Sequence, residues 1–183
     1  MSDPTWVVMP VLAGPEMTEA AVADLLAQTV PTRILIINQG VDTEFRDRLE
    51  RLSEEYPDRI FVWHHVPSLP SLSATWNRAL RFVWSTGGTE ALVCNNDVEI
   101  HRRTVEVLSL YLHDENAMFV SAVGVAQDQF DRNEPTGIPS LPDGGRLTSR
   151  GGPDFSCFLI SREGHEKHPF DENFIPCYGE DCS

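Results

Sequence analysis

An apolar run, Ala91-Leu92-Val93-Cys94, ends abruptly in two amides and a carboxylate, Asn95-Asn96-Asp97, and a second acidic pair, Glu180-Asp181, stands near the end of the chain. A carboxylate at the mouth of a buried strand can bind a hard divalent cation through oxygen, and neighbouring amides can hydrogen-bond ligand hydroxyls. The same residues also suit purely local work, with Asp97 capping the helix that follows and Asn95-Asn96 forming a turn. Spacing leaves both readings open.

Other candidate chemistry is thinner. His64-His65 are adjacent on a strand and point to opposite faces, which disfavours a shared metal. His165 and His168, three apart in a short polar helix, read as solvated surface, and His101 is the nearer neighbour for a metal at Asp97. The serines at 68, 71 and 73 lack a GxSxG elbow. There is no GxxxxGK[ST], and the first strand-to-helix loop, Leu12-Ala13-Gly14-Pro15, is not GxGxxG, so neither a P-loop nor a dinucleotide fingerprint is present.

The elements that must position these residues follow from hydrophobic period. Thr5 to Val11 and Arg33 to Asn38 are apolar without alternation, as expected for strands covered on both faces. Helical spacing follows each, over Glu16 to Gln28 and Asp42 to Tyr56. Ile60 to His64 gives a third strand. Ser73 is expected to cap a helix running through Trp76, Leu80 and Val83 to Gly87-Gly88. The fourth strand is the stretch beginning at Glu90, followed by a helix over Thr104 to His113 and a fifth strand over Met118 to Ala126. Five alternations of strand and helix predict a doubly wound, mostly parallel sheet whose ligands bind beyond the carboxyl ends of the strands. Asn38, Gln39 and Asn95 to Asp97 all fall at such ends. Gln127 to Pro153 has no sustained period and reads as a long loop, before strand character returns at Phe155 to Ser161.

With 183 residues, the chain suits one domain with a sizeable core. A net charge of -14, from 28 acidic and 14 basic residues, opposes unaided nucleic-acid binding. The four cysteines show no CxxC spacing, and Cys94 and Cys157 lie in strand-like runs, which favours reduced thiols in a cytoplasmic setting. No transmembrane segment or signal peptide is expected.

Taken in order, Met9-Pro10-Val11, Ile37-Asn38-Gln39-Gly40, Leu72-Ser73-Ala74-Thr75-Trp76-Asn77-Arg78-Ala79-Leu80, Asn95-Asn96-Asp97, and Phe170-Asp171-Glu172-Asn173-Phe174 leading to Gly179-Glu180-Asp181 resemble the family 2 glycosyltransferases of GT-A fold. The resemblance covers nearly the whole chain. It implies a Rossmann-like three-layer αβα sandwich over 1–183, without the C-terminal elements usual in the family. It further implies inverting transfer of a sugar from a nucleotide-diphosphate donor, UDP-sugar favoured, to an acceptor hydroxyl, with Mn²⁺ or Mg²⁺ assisting.

Carried over by position, Asp97 would hold the metal and Asn95 and Asn96 the donor. Pro10, Val11, Leu12, Asn38 and Gly40 would line the base and ribose, while Ser73 and Asn77 approach from a third side. Glu180-Asp181 corresponds to the acceptor-side acid pair, with Asp181 as general base; Tyr178, apart from the resemblance, is a candidate for stacking on a sugar ring because it stands beside that pair. Two departures stand out. Asn95 replaces the first carboxylate of the DxD element, and Asn38-Gln39 replace the acid usual after strand two, so metal affinity is expected to be lower. A nucleotide-sugar-binding module without catalysis is therefore a second reading. A nucleotidyltransferase would require a Gly- and Lys-rich loop that Leu12 to Pro15 does not supply. The acceptor is left open among polysaccharide, lipid-linked sugar, protein, small molecule and modified DNA base, with 127–153 expected to select it.

Overall fold

The computed structural model describes residues 3–65, 69–114, 116–122 and 155–173. In chain order they form β1 (Thr5–Val11), α1 (Pro15–Leu26), β2 (Thr32–Asn38), α2 (Thr43–Glu55), β3 (Ile60–His64), α3 (Leu72–Ser85), β4 (Glu90–Cys94), α4 (Thr104–Asp114), β5 (Phe119–Ser121), β6 (Cys157–Ser161) and α5 (Arg162–Lys167). The six strands make one sheet in the order β3-β2-β1-β4-β6-β5. The first four are mutually parallel, and β6 runs antiparallel to both β4 and β5. The sheet is mostly parallel, as alternation predicts, with β6 the one reversed strand among the described residues. The fifth strand occupies Phe119–Ser121 within the expected 118–126, whose residues from 123 onward lie outside the described set, as does the 127–153 segment.

Because side chains alternate across a strand, the unbroken apolar runs feed two cores at once. Val7, Met9 and Val11 of β1, Ile34 and Ile36 of β2, and Leu92 and Cys94 of β4 pack with Ala21, Val22, Leu25, Phe45, Leu49, Val105 and Leu108 from α1, α2 and α4. Trp6, Val8, Leu35, Ile37, Ala91 and Val93 point the other way, against Trp76, Ala79, Leu80, Val83 and Trp84 of α3. Helices thus cover both faces in a three-layer αβα arrangement. The α3 side is aromatic, with Trp6, Trp63, Phe82, Phe158, Phe119 and Phe170 in edge, tilted and stacked contacts.

Caps fix the helix starts. Asp42 Oδ1 accepts from the Phe45 N–H at 3.1 Å, and Ser71 Oγ accepts from the Ala74 N–H at 3.1 Å. Ser71 is the cap of α3, two residues before the expected Ser73, which lies inside the first turn and is buried. The polar residues before the helix offer more than one capping position, and packing selects among them. Between α1 and α2, Arg48 reaches Glu16 and Glu19 at 2.7 Å each, and its hydrogen bonds hold both carboxyls below their ordinary range. Among the described residues no helix is long and apolar enough to cross a membrane.

Ile36 is fully buried in the centre of β2, flanked by β1 and β3. Ile36→Ala is expected to lower stability by about 2–5 kcal/mol, read as a fall in the denaturant midpoint at unchanged slope.

Candidate functional site

The sheet has a switch point between β1 and β4. From β1 the chain proceeds to β2 on one side, and β4 is added later on the other, so the connecting segments leave in opposite directions and open a crevice above the carboxyl ends. The strands themselves widen it. β1 pairs with β2 as far as Val11 and Asn38, with the Gln39 N–H continuing onto the Val11 carbonyl at 2.9 Å, but it pairs with β4 only as far as Val8 and Val93. Backbone groups of successive residues face opposite edges, so the Val11 carbonyl turned to β2 places residue 10 facing β4. That residue is Pro10, which has no N–H to donate, and the β1–β4 ladder ends there.

On the β4 side, Asn95 extends the pairing with β6 through its N–H to the Ser156 carbonyl at 2.8 Å. Asn96 and Asp97 form a turn, one residue later than the Asn95-Asn96 turn of the local sequence reading, because the Asn95 N–H is still held on the Ser156 carbonyl. The two Nδ2 protons of Asn96 go to the Ala13 carbonyl and the Thr18 hydroxyl, both at 2.8 Å. Thr18 is fully buried and donates in turn to the Gly14 carbonyl at 2.9 Å. Gly14 starts α1 in the left-handed region at φ 79°, where a side chain would be strained. Asn96 therefore latches β4 to the β1–α1 loop across the mouth of the crevice and keeps only Oδ1 for a ligand.

Asp97 is exposed at this mouth and accepts no hydrogen bond from a described residue. It is not a helix cap: α4 begins at Thr104, and the Val105 N–H is met by Gln28 Oε1 at 3.0 Å. The chain after Asp97 is pinned by the Ile100 N–H to Asp24 Oδ2 at 3.0 Å. His101 Nδ1 accepts from the Arg103 N–H at 3.2 Å, a turn-forming contact that belongs to the approach to α4. No group of three or more His, Cys, Asp and Glu among the described residues could hold a metal ion. One exposed carboxylate fits a hard cation whose other ligands are phosphate oxygens and water, and does not fit a cage made by protein alone.

On the β2 side the polar residues turn inward. Asn38 is buried; its Oδ1 accepts from the Gly40 N–H at 2.8 Å and its Nδ2 donates to His64 Nδ1 at 3.1 Å. Accepting at Nδ1 leaves the His64 proton on Nε2, where it meets Glu50 Oε1 at 2.9 Å. Gln39 is also buried and donates to the Thr75 hydroxyl of α3. A Cβ at Gly40 would stand 2.3 Å from the Leu12 carbonyl oxygen, so the two loops touch through backbone. Two apolar side chains face outward here, Leu12 at 48% and Val41 at 87% exposure, with Asp42 exposed beside them.

On the third side, Ser73 and Asn77 are buried in α3. Asn77 joins this helix to the chain after α5, donating to the Phe170 carbonyl at 2.8 Å and to Glu172 Oε1 at 2.9 Å. Glu180 and Asp181, with Tyr178, lie outside the described residues. Of the predicted site residues, the fold brings Pro10, Val11, Leu12, Asn38, Gly40, Asn95, Asn96 and Asp97 to one edge. His165, read as surface from its polar neighbours, is buried, and the Thr18 partner of Asn96 carried no sequence signal beyond its four-residue spacing from Gly14.

No family model matches the sequence, and no curated protein matches it. Solved structures do. Mannosyltransferase PcManGT from Pyrobaculum calidifontis, in complex with GDP-Man and Mn²⁺, aligns at TM-score 0.69 and 15% identity over 92% of this chain and 48% of that one. S. aureus TarS 1-349 aligns at TM-score 0.61 and 15% identity over 94% of this chain and 52% of that one. The same protein in complex with UDP-GlcNAc aligns at TM-score 0.50 and 17% identity, over 70% of this chain and 38% of that one. The fold is GT-A, and this chain spans about half the length of the first two structures.

Replacing Asn96 tests the latch. Asn96→Ala removes two hydrogen bonds and is expected to destabilise by about 1–3 kcal/mol in chemical denaturation. Asn96→Asp should do no better, because a carboxylate cannot donate to the Ala13 carbonyl.

Proposed function

We propose that the protein is a glycosyltransferase that moves a sugar from a nucleotide-diphosphate donor to an acceptor hydroxyl with inversion, assisted by Mn²⁺ or Mg²⁺. The observation that carries this reading is Asp97, an exposed carboxylate that accepts no hydrogen bond from a described residue, at the switch-point crevice of a GT-A fold. The solved structures of this fold that bear GDP-Man with Mn²⁺ or UDP-GlcNAc support it.

In this reading the nucleoside lies over the ends of β1 and β2, where exposed Leu12 and Val41 offer an apolar wall and the close backbone of Leu12 and Gly40 shapes the floor. Asn38 and Gln39, with their amides engaged inside the fold, build this wall from behind, and base recognition falls to backbone groups and apolar contact. Asn96 Oδ1 accepts from a ribose or sugar hydroxyl while Nδ2 stays on the latch. Asp97 binds the cation, which when bound compensates the charge on the departing diphosphate. Asp181 takes the acceptor proton as the acceptor oxygen bonds the anomeric carbon and the bond to diphosphate breaks. The cleft carries no lysine or P-loop to balance the diphosphate, and Asp97 with a cation supplies what they would.

The lone carboxylate at the DxD position also favours a second reading, a nucleotide-sugar-binding module without turnover. One set of measurements separates the two. UDP- and GDP-sugars are tested for thermal stabilisation with and without Mn²⁺, saturation at 100 times Kd giving about 2.7 kcal/mol. Stabilisation that needs Mn²⁺ and is lost in Asp97→Ala is expected. Asp181→Asn should keep the stabilisation and lower turnover by about 10²–10⁴-fold. Stabilisation without turnover in the unaltered chain selects the module, and no response to any nucleotide sugar overturns both.

A further inference from the structure

Beyond the crevice, the densest polar contact in the described interior joins α3, α5 and the segment after α5. Its centre is Asn77, 2% exposed. Both Nδ2 protons are used, on the Phe170 carbonyl and Glu172 Oε1, and Oδ1 receives the Phe170 N–H at 3.1 Å and His165 Nε2 at 2.9 Å. Backbone N–H and C=O have fixed roles, so the Phe170 pair sets which way the amide points. His165, 3% exposed, is likewise fixed: the Trp84 indole N–H can only donate, and it meets His165 Nδ1 at 2.9 Å. Nδ1 must then be bare and Nε2 must carry the proton toward Asn77. Ser71 Oγ adds a contact to the Glu172 carbonyl at 3.4 Å, and Arg81 stands 3.8 Å from Glu172. The chain leaves this clasp at Asn173 and continues in sequence to Glu180-Asp181.

We infer that His165 is a positioning residue: as a neutral imidazole protonated on Nε2, it holds Asn77 and, through Asn77, the segment Phe170–Asn173 from which the acceptor-side acid pair extends. The inference rests on the proposed transfer only where it gives that acid pair its role. The clasp itself stands on the hydrogen bonds.

The arrangement is sensitive to protonation, because a second ring proton at Nδ1 would face the indole N–H and push Trp84 and His165 apart. Burial lowers the His165 pKa, the Arg81 guanidinium of α3 lowers it further, and Glu166 of α5 opposes them; Glu172 faces Asn77 rather than the ring. An open cavity of roughly 430 Å³, lined by Arg81, Trp84, Arg162, His165 and Glu166, gives protons a route to this edge, and Arg162 is paired there with Glu166 at 2.7 Å. The neutral form is favoured in the fold, so its contribution is complete above the ordinary histidine pKa of about 6.5 and is lost as pH falls through the lower folded value.

Nitrogen-15 NMR on the 183-residue chain tests the inference, with amide exchange alongside. At neutral pH, His165 should show the Nε2–H tautomer. On acidification, loss of the Trp84 indole hydrogen bond should coincide with faster exchange at 170–173. His165→Leu should raise exchange there tenfold or more while β1 and β4 amides stay unchanged. His165→Gln, able to accept from Trp84 and donate to Asn77, should restore much of the protection. Unchanged exchange at 170–173, or an equal rise across β1 and β4, overturns the positioning role. Should His165→Leu not fold, the titration of the unaltered chain decides: an indole signal that titrates without the segment overturns it equally. Where turnover is measurable, His165→Leu lowers kcat tenfold or more at unchanged donor KM, and a drop confined to KM overturns the role. A chain that turns over no nucleotide sugar refutes the transfer reading and leaves the exchange data to judge the clasp.

Discussion

A missing proton donor governs the working edge of this protein. At Pro10 the central strand cannot donate a hydrogen bond to β4, and the sheet parts there although the β2 side stays zipped for three more residues. Everything at the edge responds to that gap. Asn96 bridges it from β4 to the β1–α1 loop, Thr18 buttresses Asn96 from inside α1, and Asp97 is left at its rim with both oxygens free of described partners. An uninterrupted ladder would have closed the space where a ligand can sit.

The two walls of the crevice are built on opposite principles. The β2 wall is a closed hydrogen-bond chain, Glu50 to His64 to Asn38 to the Gly40 backbone, with Gln39 held by Thr75. Buried polar groups that satisfy one another stiffen a surface and present little polarity outward. The β4 wall is open, with one latch and one charge that has no partner among the described residues. The rigid side suits shape recognition and the open side suits a ligand that brings its own charge and counter-ion.

Much of this was legible in the sequence. Short continuous apolar runs bounded by turn residues located the strands and the 3.6 period located the helices, because a strand covered on both faces is apolar without alternation. The end of β4 in Asn95-Asn96-Asp97 was visible for the same reason. What the sequence did not carry was partner choice. Asn38 and Asn96 look alike as strand-end amides and Asn77 reads as a donor-facing helix residue, and only the tertiary contacts show that Asn38 and Asn77 are buried and engaged within the fold. His165 sits in a charged hexapeptide, Arg162 to Lys167, whose outer face has Arg162 with Glu166 and Lys167 with Glu163; its two buried positions, Gly164 and His165, leave no apolar periodic trace in so short a helix. The direction of β6 was hidden too, since pairing sense depends on the long connection before it.

The uneven distribution of aromatic rings has an optical consequence. All four tryptophans, Trp6, Trp63, Trp76 and Trp84, belong to the layer between the sheet and α3, while the opposite layer is built from aliphatic side chains with Phe45 and Tyr56. Intrinsic fluorescence and near-ultraviolet dichroism therefore view the molecule from one side. A state that kept the α3 layer while α1, α2 and α4 loosened would look native in either spectrum, although those helices carry the loop that Asn96 grips. Backbone-level probes see both sides, and disagreement between the two kinds of signal would itself localise an opening to the crevice-bearing half.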